Sequence, residues 1–115
     1  MTVTRHENGQ RFCRVLTHNG TVYLSGMTAD DLSGDVVQQT RDTLAKIDRH
    51  LAMAGSDKSK ALSATIWLRD IADFDLMNKA WDEWVDLSAM PVRATVEARL
   101  AGDAYRVEIM LIAAA

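Results

Sequence analysis

At 115 residues, with 48% apolar and 25% charged residues, the chain has the makeup of one globular domain (1–115), which excludes a disordered or fibrous polymer. A formal net charge of −3 with no Lys/Arg stripe excludes the footprint of a general nucleic-acid binder, and no apolar run approaches the roughly 20 residues that span a bilayer. Cys13 is alone and His6, His18 and His50 lack metal-ligand spacing, so neither a disulfide nor a metal is expected; the opening MTVTRHENGQ has no signal-peptide stretch, so the expected location is cytoplasmic.

The first strand runs from Arg11 through Val15 and Leu16 to Thr17, and the second is Val22-Tyr23-Leu24. Asn19-Gly20 between them predicts a type I′ hairpin, whose two central residues both need positive φ. After a turn-like TADDLSGD, Val37, Thr40, Leu44, Ile47, Leu51 and Ala54 recur at helical period, which predicts a helix over Asp35 to Ala54 stopped by Gly55. The alternation in ALSATIWLR predicts a third strand over Ala61 to Arg69, with Leu62, Ala64, Ile66 and Leu68 on one face. Asp73 is placed to cap a second helix carrying Phe74, Met77, Trp81, Trp84 and Val85, which ends before Pro91. Two last strands follow, Arg93 to Leu100 and Tyr105 to Ala114, joined by the turn-forming Ala101-Gly102-Asp103. The order β-β-α-β-α-β-β predicts an α+β two-layer sandwich with both helices on one face of the sheet.

In the fourth strand Ala94, Val96, Ala98 and Leu100 suit the helical face, leaving Arg93, Thr95, Glu97 and Arg99 opposite. In the fifth, Val107, Ile109, Leu111 and Ala113 are the matching core set, leaving Arg106, Glu108, Met110 and Ile112 opposite. Alternation therefore sets Arg93, Thr95 and Glu108 on one non-helical face that also carries apolar residues, a surface of the kind a second copy of the chain covers. A planar guanidinium donates two parallel charge-assisted hydrogen bonds to a small carboxylate, and a carboxylate beside it can handle water or a proton. Taken alone, an Arg/Glu pair is more often a structural ion pair than a site. Trp67, Trp81 and Trp84 read as packing residues and Cys13 as a small buried hydrophobe.

The strings YLSGM (Tyr23 to Met27), TIWLRDIADFDLMNKAWDEW (Thr65 to Trp84), PVRATVEARL (Pro91 to Leu100) and RVEIMLIA (Arg106 to Ala113) occur in order and at these strand and helix positions. Together they resemble the RidA/YjgF family of reactive intermediate deaminases over nearly the whole chain, and within it a short YoaB-like branch. The resemblance implies a chorismate-mutase-like fold, a homotrimer built around a central barrel of sheets, and three sites in the clefts between subunits. It casts Arg93 of the Pro-x-Arg motif as the carboxylate grip and Glu108 as the residue that positions the attacking water. Ser25, Gly26 and Asn78 would line the same pocket, Ser25 binding rather than attacking. Two positions depart from the family pattern: Phe12 stands where deaminating members usually have Tyr, and Thr95 where many have Cys.

The function so implied is cofactor-free hydrolysis of short 2-imino or 2-enamino carboxylates, of the 2-aminoacrylate type, to 2-oxo acids and ammonia. The hydroxyl missing from Phe12 keeps a second reading in play, a non-catalytic trimer that binds or senses a small 2-oxo acid. An endoribonuclease, a label some family members carry, stands third because the chain is acidic and has no paired-His site.

Overall fold

The structure, a computed structural model, describes residues 2–115. Six strands, β1 (Thr4–Asn8), β2 (Cys13–His18), β3 (Thr21–Leu24), β4 (Ala61–Leu68), β5 (Val92–Glu97) and β6 (Val107–Ala114), form one sheet in the order β1-β2-β3-β6-β4-β5. Helices α1 (Val36–Met53) and α2 (Phe74–Trp84) cover one face of it, giving the α+β two-layer arrangement that the element order implied. The core between the layers holds Val15, Val22, Ile66, Leu68, Ile109 and Leu111 from the sheet against Leu44, Ile47, Leu51, Met77 and Trp81 from the helices.

Local chemistry explains the elements read most easily. Asn19 (φ 52°) and Gly20 (φ 74°) both lie in the left-handed region, the requirement of the type I′ hairpin between β2 and β3. At the start of α1 the Asp35 carboxylate accepts from the Gln38 backbone N–H at 2.9 Å, and Gly55 (φ 71°) leaves the helix just beyond its Ala54 cap. Replacing Asp35 with alanine removes that acceptor and is expected to cost about 1 kcal/mol of stability. A shifted denaturant midpoint with an unchanged slope would show it.

Several sequence expectations need correction. The TRHEN segment forms the edge strand β1, which its polar composition conceals; its Glu7 Oε2 meets His50 Nε2 at 2.8 Å while His50 Nδ1 meets the Lys46 carbonyl at 2.8 Å, tying the strand to α1. Leu62 is exposed, because a register shift between Ala61 and Ser63 takes it out of the alternation. Asp73 makes no side-chain cap to α2; Asp70 instead accepts from Ala72 N–H at 2.9 Å and starts a short 3₁₀ turn (Ile71–Asp73) that leads into the helix. Cys13 is only half-buried, its thiol donating to the Val15 carbonyl at 3.1 Å.

The largest correction concerns β5. It is not the hairpin partner of β6 that the Ala101-Gly102-Asp103 turn suggested. It pairs in parallel with β4, as a strand returning through a helical crossover must, and β6 lies on the other side of β4 between β4 and β3. Cross-strand register then assigns the faces. Ala64 lies opposite both Arg93 and Leu111, and Ile66 opposite both Thr95 and Ile109, so Arg93 and Thr95 stand on the helical face. Trp67 lies opposite both Val96 and Glu108, so Glu108 stands on the open face. The expectation that Arg93, Thr95 and Glu108 share one face is therefore overturned, as is the assignment of Ala94 and Val96 to the helices. Apolar alternation identifies which residues of a strand are alike, and in a strand with cover on both sides it does not tell which side is which.

Candidate functional site

Arg93 is the best defined of the expected site residues. Its Nη1 donates to Asn78 Oδ1 at 2.8 Å, and its guanidinium carbon lies 5.1 Å from the Trp81 ring centroid and 5.8 Å from that of Phe74. Phe74, Asn78 and Trp81 are four and three residues apart on α2, so one helical face presents two rings and an amide to the β5 edge. Burial pushes the arginine pKa down from its usual value, with Asp82 opposing, yet a guanidinium remains cationic at any physiological pH. Among the described residues no carboxylate comes within ion-pairing distance of Arg93. Thr95 follows two residues later on the same face, and its Oγ1 is buried with no hydrogen-bond partner. An unpaired cation held by aromatic rings beside an unsatisfied hydroxyl leaves two groups that would each gain a partner from a small anion.

The remaining expected residues assemble elsewhere, at the β2/β3 side of the open face. Ser25 N–H donates to the Arg14 carbonyl at 3.0 Å, and Met27 and Ile109 exchange backbone hydrogen bonds of 2.8 and 2.9 Å, which lays the Ser25-Gly26 segment beside β6. The absence of a side chain on Gly26 leaves room for the Glu108 carboxylate, because a Cβ there would fall on its Oε2. Beside it lies a cavity of about 260 Å³ lined by Phe12, Arg14, Ser25, Gly26, Lys46 and Tyr105. The Phe12 ring is 56% exposed, so its edge is available to whatever enters. Lys46 is already engaged, donating to Asp30 Oδ1 at 2.7 Å and to the Thr28 carbonyl at 3.2 Å; that contact holds the Asp30 carboxyl below its ordinary range.

The chain thus brings the expected residues together as two groups. Arg93, Asn78 and Thr95 cluster at the β5/α2 edge; Phe12, Ser25, Gly26 and Glu108 cluster at the opposite side of the open face. Trp81 and Phe74, read from sequence as packing, also frame Arg93, and their spacing around Asn78 was the signal for it. Arg14 and Tyr105 were missed; Arg14 stands two residues from Phe12, the spacing that puts strand neighbours on one side. Among the described residues no group of three His, Cys, Asp or Glu side chains could hold a metal ion. A further cavity of about 210 Å³ between α1 and α2 offers less, because four of its polar groups are taken up in pairs: Arg41 grips Glu83 at 3.0 Å and Trp84 Nε1 donates to Asp48 at 3.0 Å, while Lys58 lies over the Trp84 ring.

Comparison with known proteins gives the family of the chain. The family model described as Endoribonuclease L-PSP matches residues 3–115. The Escherichia coli K12 protein named RutC family protein YoaB is 46% identical over 114 residues, covering 99% of each chain. The crystal structure of a YjgF family member from Neisseria meningitidis is 43% identical with a TM-score of 0.96, covering 99% of this chain and 95% of that one. A more distant relative from Capra hircus, named 2-iminobutanoate/2-iminopropanoate deaminase, is 32% identical over 99 residues, covering 81% of this chain and 72% of that protein. With a whole-length family match and curated relatives of this similarity, the chain belongs to the RidA/YjgF family.

Proposed function

We propose that the chain is a cytoplasmic, cofactor-independent hydrolase of short 2-imino and 2-enamino carboxylates, working as a homotrimer. The observation that carries the reading is the Arg93 pocket, a partly desolvated guanidinium oriented by Asn78, Trp81 and Phe74 and free of any acidic partner among the described residues. Arg93 takes the substrate carboxylate in a two-point grip and draws electron density from the neighbouring imine carbon. Water adds to that carbon, a proton passes to the nitrogen, ammonia leaves and the 2-oxo acid remains. Glu108 orients the water and shuttles the proton. An enamine enters the same sequence after tautomerising to the imine.

Because Arg93 and Glu108 stand on opposite faces of one chain, this chemistry requires that a second copy bring its Glu108 group to the first copy's Arg93 group. The open face supports such packing: Val92 (72% exposed), Val96 (49%) and Tyr23 (42%) all stand on it, where three sheets could close on one another. The deaminase named among the relatives adds weight, and the closer relatives carry only family names.

Phe12 supports a second reading, a trimer that binds a 2-oxo acid without turning over an imine, since its ring has no hydroxyl to hold water or substrate. Freshly generated 2-aminoacrylate separates the two. Accelerated ammonia release is expected; binding of 2-oxobutanoate by calorimetry with no acceleration would select the sensor. The endoribonuclease in the family description gains no support from the histidines, because His6 bonds Thr17, His18 the Thr2 carbonyl and His50 Glu7, none of them lining either group.

A further inference from the structure

The cavity beside Gly26 contains a cation that the proposed reaction does not use. Arg14 is half-buried, its guanidinium carbon 5.6 Å from the Phe12 ring centroid. Its other side packs on the backbone of the Gly9–Phe12 turn, closed by the Gly9 N–H to Phe12 carbonyl bond of 2.8 Å; a Cβ on Gly9 would collide with Arg14 Nη1. The turn and the ring therefore hold the side chain in place. Among the described residues no carboxylate lies within ion-pairing distance of it, whereas the other cation of the cavity, Lys46, is paired with Asp30. A guanidinium that is partly withdrawn from water and left without an anion in a cavity is a site for one.

We propose that Arg14 selects the substrate side chain: the chain acts on imines of short dicarboxylic acids, with Arg93 holding the carboxylate next to the imine and Arg14 the second carboxylate. This rests on the carboxylate reading of Arg93 and extends it to substrate class. With Arg93 from one copy and Arg14 from the copy that brings Glu108 to it, the two cations would hold both ends of a four- or five-carbon dicarboxylate, which a monocarboxylate of the same length cannot exploit. Ser25 and the Tyr105 phenol line the same cavity and can complete the coordination of the second carboxylate. Phe12 suits this arrangement, since its ring face supports the Arg14 guanidinium.

The test uses stable 2-oxo acids as probes of the intact protein. Titration calorimetry of the wild type should give 2-oxoglutarate or oxaloacetate an affinity at least about tenfold above that of 2-oxobutanoate, the size expected of one charge-assisted contact. In Arg14→Gln the ratio of the two affinities should fall to about one, and the same collapse should appear in kcat/KM for imines generated by oxidation of glutamate and alanine. Equal affinities in the wild type, which need no variant to measure, would overturn the proposal, as would a preference that survives Arg14→Gln. Failure of the underlying reading looks different: 2-oxobutanoate would then bind Arg93→Ala as well as it binds the wild type.

Discussion

Arg93→Ala is expected to lower kcat/KM for 2-aminoacrylate hydrolysis by about a hundredfold or more while leaving the fold intact. A bidentate guanidinium-carboxylate pair comprises two charge-assisted hydrogen bonds, each worth about 1.5–3 kcal/mol, and every 1.4 kcal/mol is a factor of ten. Arg93→Lys should recover only part of the loss, because an ammonium neither forks to both carboxylate oxygens nor offers a planar group to the Phe74 and Trp81 rings beside it. The fold is expected to survive because Arg93 is only half-buried and stands on the edge strand β5, outside the Ile66-Leu111 core. The proposed assembly of the site from two copies adds a sharper outcome. If Arg93→Ala and Glu108→Gln are each inactive, denaturing and refolding them together should restore activity, since mixed assemblies contain seams with one intact member of each group. No recovery from well-folded mixed assemblies would place both residues in the same copy and contradict the seam.

Gly26→Ala is the second large effect, and it separates activity from stability. The new methyl group would land on Oε2 of Glu108, the far end of a flexible side chain, so the carboxylate swings aside and the backbone stays. The backbone poses no obstacle either, as Gly26 is not among the glycines of positive φ, which are Gly20 and Gly55. In the proposed reaction Glu108 acts as general base, and displacing it would remove a contribution of about 10²–10⁴ in rate, so kcat should fall at least about a hundredfold. The melting temperature should move by no more than a few degrees, as for a change of about 1 kcal/mol in a domain of this size. Glu108→Gln should reproduce the kinetic loss without the steric change. Full activity in Gly26→Ala would show that the carboxylate need not occupy the place it has beside Gly26.

The elements with local causes were legible in the chain alone. Asn19-Gly20 specifies its hairpin because few residue pairs accept two left-handed positions, and α1 follows from an apolar stripe bracketed by Asp35 and Gly55. The family resemblance picks out Arg93, Asn78 and Thr95, which do gather, and Phe12, Ser25, Gly26 and Glu108, which gather elsewhere. Strand pairing was not legible. The turn at Ala101-Gly102-Asp103 reads as a hairpin, yet Val92–Glu97 reaches the sheet through α2 and takes the outer, parallel place beside β4. Helical spacing reads Phe74 and Trp81 alike as packing residues, yet Trp81 is buried and Phe74 is 38% exposed, and spacing is silent about the arginine both rings touch.

What the amino-acid sequence determines by itself is therefore the local structure, the two-layer architecture and the residue types available for chemistry: hydrogen bonds and apolar periodicity over a few residues are enough. Only the tertiary structure decides that β6 inserts between β3 and β4, and with that order that Arg93 faces the helices while Glu108 faces away. The physical reason is the two-residue period of a strand. It makes alternate side chains share a face, but the direction of that face is set by the neighbour to which the strand bonds and by what covers each side of the sheet. For Arg93 that neighbour is β4 and the cover is α2, whose rings and amide surround one arginine of an edge strand and set the pocket proposed to take a carboxylate.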